Sequence, residues 1–208
     1  AWQRVQIHGH IQDGLTGQLA PHFNGPVQLI LYDKKVERST LKNDGEGPYI
    51  AFNEWANAAY RGQVLAQSGQ FEAEWVMPLD IALQLGKGKF SFYAQTDSTD
   101  ASGSDFRVYI GGIDSNAPVD VTGPTVRVFM GDSLFKSGGI TSPDPMGLVH
   151  LFDENGINAV GNGIGHDLMG ALDGDWNASF SLNSRYSANA GTYQRGMATW
   201  PFENLSDG

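Results

Sequence analysis

Phe71-Glu72-Ala73-Glu74-Trp75-Val76-Met77 carries an apolar side chain at every odd position and an acid at two of its three even ones. Successive side chains on a strand point to opposite faces, so this stretch predicts a β-strand with one face in a core and one toward water. Ser68-Gly69, just before Gln70, predicts a hairpin turn between strands at Tyr60–Gln67 and Gln70–Val76. Similar short runs, rich in β-branched and aromatic residues and bounded by Gly, Asp, Asn and Pro, recur on both sides. They place strands at Val5–Ile11, Val27–Tyr32, Lys89–Thr96 and Arg107–Ile110. A second set lies at Thr125–Met130, Leu148–Asp153, His166–Leu172, Phe180–Leu182 and Gly196–Pro201. Helical periodicity is confined to Ala51–Ala66, where Phe52, Trp55, Ala56, Ala59 and Tyr60 keep a helical apolar spacing and predict one short helix.

The weakest joint is Gly111–Pro124, with Gly-Gly, Asn-Ala-Pro and Gly-Pro punctuation between two strand-rich halves. The expected fold is therefore all-β, with two immunoglobulin-like β-sandwich modules at residues 1–115 and 116–208. Leu205-Ser206-Asp207-Gly208 reads as a turn that should launch a further strand, so the second module is expected to lack its last strand and the natural chain to continue. The opening Ala1-Trp2-Gln3, with neither an initiator Met nor a signal-peptide pattern, reads as a mature or excised piece.

Composition narrows the function. The chain has 208 residues, 23 acidic against 13 basic, a net charge of −10 and no cysteine. No basic patch stands out in the sequence, which disfavours a nucleic-acid partner. No apolar run is long enough for a membrane-spanning helix. The empty cysteine column excludes disulfides, thiolate metal sites and a cysteine nucleophile within these residues.

Few residue patterns suggest chemistry. His8 and His10 share one face of a strand, with Asp13 and His22 near in sequence, and could hold a metal, although two surface histidines are the plainer reading. Asp173-Gly174-Asp175-Trp176-Asn177 spaces oxygen side chains like the start of a calcium loop. An EF-hand would close on a bidentate Glu where this chain has Ser184, so calcium is a weak candidate and Asp-Gly turn chemistry the stronger one. Asp97, Asp100 and Asp105 read as a solvated hairpin loop. His166-Asp167 is the one adjacent base–carboxylate pair, but strand neighbours face opposite ways and cannot readily form a dyad. No nucleophile elbow occurs, and no pair of carboxylates stands out for sugar chemistry. Trp55, Trp75, Trp176 and Trp200, with Tyr49, Tyr60 and Tyr93, could form a sugar platform, against which core packing is the favoured reading.

One ordered series is far more specific. It runs Asp153-Glu-Asn-Gly-Ile-Asn158, Gly161-Asn-Gly-Ile-Gly-His-Asp167, Leu172-Asp-Gly-Asp175, then Leu182-Asn183 with Tyr186. Upstream pieces agree: Phe23-Asn-Gly25, Tyr32-Asp-Lys34, Val76-Met-Pro-Leu-Asp-Ile81, Gly86-Lys-Gly-Lys-Phe-Ser-Phe-Tyr-Ala94, Ala101-Ser-Gly103, Ile110-Gly-Gly112, Gly123-Pro124 and Met130-Gly-Asp132. Together they resemble the region downstream of the peptidase domain in type IX secretion system sortases, the PorU-like branch of the gingipain family of cysteine peptidases. The resemblance implies a parent protein at the outer membrane of a Bacteroidetes-type bacterium that removes secretion signals from exported cargo and attaches the cargo to the cell surface. It implies partners in an upstream peptidase domain of the same chain, an outer-membrane protein and secreted cargo. It implies no catalytic residue here, since the family's Cys and His lie upstream, and His166 is not that His. The matched residues suit structural roles: Asn155 and Gly156 a tight turn, Gly161, Gly163 and Gly165 an irregular loop, and His166 and Asp167 hydrogen bonds to loop amides. A secreted carbohydrate-binding module and a calcium-stabilised adhesion module are the competing expectations.

Overall fold

Alternation decides which strands find which partners. In the computed structural model, residues 3–78, 81–116, 122–160 and 167–206 are described. The first half contains β1 (Arg4–His10), β2 (Gly25–Tyr32), β3 (Val36–Ser39), β4 (Ala51–Glu54), β5 (Ala58–Ala66), β6 (Gln70–Val76), β7 (Gly86–Lys87), β8 (Lys89–Gln95), β9 (Asp100–Asp105) and β10 (Tyr109–Ile110). The second contains β11 (Thr125–Met130), β12 (Met146–Phe152), β13 (Met169–Gly170), β14 (Phe180–Ser181), β15 (Tyr186–Ala188) and β16 (Arg195–Pro201). Two 3-10 turns, Trp176–Ala178 and Asn183–Arg185, complete the regular structure, and no described helix is long and apolar enough to cross a membrane.

An eight-stranded sheet runs in the order β11-β12-β16-β15-β5-β2-β8-β9. Every neighbouring pair is antiparallel except β15 and β5. The antiparallel pair β1–β6 lies across the inner face of β5, β2 and β8. Its Trp75, fully buried at 0% exposure, stacks on Tyr60 at 4.7 Å and meets Phe90 edge-on at 6.0 Å. Phe71 packs on Phe92 at 5.7 Å. Val27, Leu29 and Leu31 supply the facing surface from β2. These large rings and branched chains account for most of the apolar area that this layer removes from water. Gly9 faces Phe71 across the β1–β6 ladder, and a Cβ there would collide with the ring, so the cross-strand pair fits only with glycine.

A second, smaller core forms around Leu151, Leu182, Tyr186 and Ala198, with Phe180 stacked on Trp200 at 4.1 Å. Each half contributes four strands to the large sheet, and the two halves meet where Ala188 of β15 pairs with Gly62 of β5. The Gly191 amide also donates to the Gln63 carbonyl at 3.1 Å. Tyr193 from the second half packs against the first core, and its hydroxyl accepts from Arg4 at 3.3 Å. Flanking the bridge, the Tyr60 ring covers Gly62 and the Tyr186 ring covers Gly196 so closely that a Cβ on either glycine would strike the phenol.

The all-β expectation holds, and the expected helix does not. Ala51–Ala66 divides into β4, paired with β3, and β5, paired with β2. The helical spacing is a coincidence of two strands in tandem. They are separated at Trp55–Asn57, where the Asn57 carbonyl accepts from the Asp33 amide at 2.8 Å. Long-range pairing of β5 with the buried face of β2 outweighs a weak local periodicity. The joint expected at Gly111–Pro124 falls partly on residues 117–121, which lie outside the described residues.

An ion pair between a buried carboxylate and a half-buried ammonium fixes the end of β2. Asp33, 3% exposed, accepts from Lys34 Nζ at 2.7 Å and from the Ala82 amide at 3.1 Å. Lys34 Nζ donates its other protons to the carbonyls of Ala82 (2.9 Å) and Ile110 (3.1 Å). All three ammonium protons are thus matched, and the segment after β6 and the end of β10 are tied to β2.

Removing one partner of such a pair strands the other. Lys34→Met is expected to lower unfolding free energy by about 3–5 kcal/mol in urea titration, and Asp33→Asn combined with Lys34→Met to recover part of that loss.

Burial pushes the Tyr60 phenol up to about 12. Burial also raises Tyr186, and the neighbouring Tyr60 adds to it. In the unfolded chain both ionise near pH ~10. The contribution of Tyr60 to stability is therefore complete below that pH and is lost as pH rises through about 12. Absorbance at the tyrosinate band should show both groups titrating only with alkaline unfolding. Tyr186 Oη is buried without a partner among the described residues. Tyr186→Phe should therefore leave neutral-pH stability unchanged or raise it by about 1 kcal/mol, and move the alkaline transition upward.

Candidate functional site

The polar motifs that fall on described residues can be followed to what they touch. On β1 the alternation puts Gln6, His8 and His10 on the outer face, exposed. His8 Nδ1 lies 3.8 Å from the Glu72 carboxylate on β6, and His10 Nε2 lies 3.1 Å from the Gln12 amide. Asp13 does not turn toward them. Its carboxylate accepts from the Thr16 amide (2.8 Å), the Thr16 hydroxyl (3.0 Å) and the Leu15 amide (3.0 Å). Those bonds, that of the Thr16 amide first, hold it below the usual carboxylate range, with a smaller pull from His22.

The Asp173–Asn177 string forms a tight connection between β13 and β14. Asp173 and Gly174 take left-handed φ angles of 51° and 76°, and Asp175 Oδ1 accepts from the Asn177 amide at 3.0 Å, capping the 3-10 turn Trp176–Ala178. An acceptor committed to a backbone amide in this way is doing cap chemistry. The β8–β9 hairpin carries the other acid group. Asp105 pairs with Arg107 at 2.6 Å, and the guanidinium bonds, first among the causes, hold its carboxyl at about 2. Asp100, at the other end of β9, accepts from Tyr93 at 3.3 Å. Five residue steps along the strand separate them, roughly 16 Å, so the two acids do not converge. Among the described residues no three His, Asp or Glu side chains gather as a metal site would require.

The ordered motif of the second half serves chain reversal. Asp153, buried, accepts from the Asn155 amide at 2.8 Å, while the Gly156 amide donates to the Asp153 carbonyl at 3.2 Å. Gly156 has φ 98° and lies against the Tyr193 ring, which joins this turn to the contact between the two halves. Asn183 Oδ1 accepts from the Leu168 amide (3.2 Å) and the Ser181 hydroxyl (2.9 Å). Asp167 is exposed at the rim of a groove shared with Asn57, Arg61 and Ser184. Gly161, Gly163, Gly165 and His166 lie outside the described residues.

The aromatic set disperses. Trp75 and Tyr60 belong to the first core, while Trp200 stacks on Phe180 under the Arg185 guanidinium at 4.8 Å. Trp55 faces Phe106 at 6.3 Å, and Trp176, Tyr49 and Tyr93 are exposed on separate elements. No flat platform unites them. A groove of about 530 Å³ opens between β1 and β9, with Phe71 and Phe92 in its lining, and His8, His10, Asp13, Ser102 and Asp105 all border it. Nothing in it pairs a nucleophile with a base.

Sequence reasoning missed the Asp33–Lys34 pair, Tyr193 and the Asn183 junction. The first could have been suspected from adjacent opposite charges at the end of an apolar strand. The other two depend on contacts between segments distant in sequence.

No family model and no curated protein matches the chain. A crystal structure of dimeric latent PorU from Porphyromonas gingivalis does, with a TM-score of 0.54 and 27% sequence identity. The match covers 100% of this chain and 20% of that one, so the chain spans about a fifth of that protein's length. With no cysteine, the chain does not contain the nucleophile of a cysteine peptidase. Its likeness to the PorU-like sortases, read first from an ordered series of turn motifs, extends to the fold along the whole chain.

Proposed function

We propose that this chain is a non-catalytic accessory region of a type IX secretion sortase-like cysteine peptidase, downstream of its peptidase domain. The parent protein would process exported proteins and attach them at the outer membrane, on the extracellular face. The observation that carries this reading is the end-to-end match to one fifth of PorU by a chain without cysteine. The role is that of a scaffold, holding the peptidase domain against an outer-membrane partner or passing cargo. Two modules, 1–115 and 116–208, each of immunoglobulin-like sandwich type, are the proposed units; the separate cores support that division. Asn155, Gly156, Asp167 and Asp173, with Gly163, Gly165 and His166, are proposed as structural residues. The turn bonds at Asp153 and Asp175 support such roles for their neighbours.

Incubation of the purified chain with fluorogenic peptides is expected to give no turnover above buffer, and robust cleavage would overturn the non-catalytic reading. Titration with soluble glycans should leave tryptophan fluorescence unchanged, whereas saturation at micromolar sugar would favour a carbohydrate-binding module. Calcium followed by EDTA should leave Tm unchanged to within about 1 °C; a chelator-reversible rise would favour the adhesion-module alternative.

A further inference from the structure

The strand β11 ends the large sheet and, among the described residues, pairs on one side only, with β12. Its register is fixed by Val126 opposite Leu151 and Val128 opposite Val149. Those partners lead on to Gly196 and Ala198 of β16. Val126 and Val128 therefore lie on the face that holds the second core. Yet they are 52% and 64% exposed. Natural edge strands are commonly blunted by inward charges, prolines or bulges; β11 has a regular register along its six residues and valines on its inner face.

The opposite face of the same strand is basic. Arg127 pairs in register with His150, which pairs with Met197, and Arg195 lies one step away opposite Phe152. Arg127, His150, Arg195, Thr125 and Asn189 line a groove of about 620 Å³. The Arg195 guanidinium rests 5.0 Å over the Phe152 ring, and the Phe129 and His150 rings lie 5.1 Å apart. No carboxylate lines this groove, and neither arginine takes part in any of the ion pairs found among the described residues. In a chain of net charge −10, two arginines on one sheet face with no ion-pair partner among the described residues form a local field of the opposite sign.

We propose that β11 is a docking edge that accepts an extended peptide segment with alternating apolar and acidic side chains, added to the sheet as a further strand. Backbone hydrogen bonds to the free edge supply affinity. The apolar side chains cover Val126 and Val128, and the acidic ones meet Arg127 and the groove behind it. Strand alternation makes these two demands one sequence pattern. A second copy of this chain is the poorer occupant. Antiparallel pairing of β11 with itself would bring two Arg127 side chains onto one face, and two chains of like net charge together.

Fluorescence anisotropy of the 208-residue chain with labelled ten-residue probes tests this: one alternates Val and Glu, one alternates Val and Lys, and one has the same Val and Glu in two blocks. Saturable binding of the alternating Val–Glu probe is expected, about tenfold tighter than that of either control. Arg127→Glu should weaken it by about tenfold and reverse the preference toward the Val–Lys probe. Arg195→Glu should weaken the Val–Glu probe without altering the unfolding midpoint. Val128→Asp, an inward charge on the edge, should abolish binding of all three. Equal affinity for the three probes, no saturable binding, or an unchanged preference in Arg127→Glu would each overturn the proposal. So would a β11-dependent dimer in sedimentation, since the occupant would then be a second copy.

Discussion

The fold depends on a single parallel bridge, Ala188 to Gly62, that turns two four-stranded arrays into one sheet. Without it β5 and β15 would both become edges, each with unsatisfied backbone groups beside a packed core. So short a pairing contributes little by its own hydrogen bonds. It persists because the residues around it are shaped for close approach. Gly62 and Gly196 leave room for the Tyr60 and Tyr186 rings, and Tyr193 reaches across into the first core. Each such ring removes enough apolar surface from water to contribute about 2 kcal/mol. The cost is two phenols whose pKa burial pushes up and one hydroxyl without a partner among the described residues, tolerable while both stay neutral.

Polar side chains elsewhere are spent on closing the backbone around this frame. Asp13, Asp153 and Asp175 each accept from amides two or three residues ahead, and Asp33 receives Lys34 and the Ala82 amide. A carboxylate whose lone pairs are committed to fixed backbone donors is held in its turn and has less left to offer a substrate or a metal ion. The acidic surplus that dominates the composition is thus partly a set of turn locks.

What the sequence made legible was periodicity. Phe71–Met77 and Thr125–Met130 were readable as strands because alternation is a local property of side-chain order. Ala51–Ala66 was misread because two short strands in tandem imitate a helical spacing, and only the pairing with β2 separates them. Strand β9, Asp-Ala-Ser-Gly-Ser-Asp, carries no hydrophobic alternation at all and exists because β8 offers it a ladder. Strand β15 and the contact between the halves were invisible for the same reason. Their determinants, Gly62 and Ala188, are small residues distant in sequence whose meaning is the space they leave. The left-handed φ angles at Gly156, Asp173 and Gly174 fall on residue types that tolerate them, a property carried in the local sequence.

The two edges of the eight-stranded sheet differ in composition. At β9 the exposed strand is polar and glycine-containing, and Asp105 is tied to Arg107 just beyond it, the composition of an edge that discourages partners. At β11 the residues are Thr-Val-Arg-Val-Phe-Met, a sequence of high strand propensity with its apolar positions aligned to the core face. If both edges faced only water, the same physical pressure would act on both and the second composition would be an aggregation hazard. The asymmetry is explained when the β11 end has something to pair with and the β9 end does not.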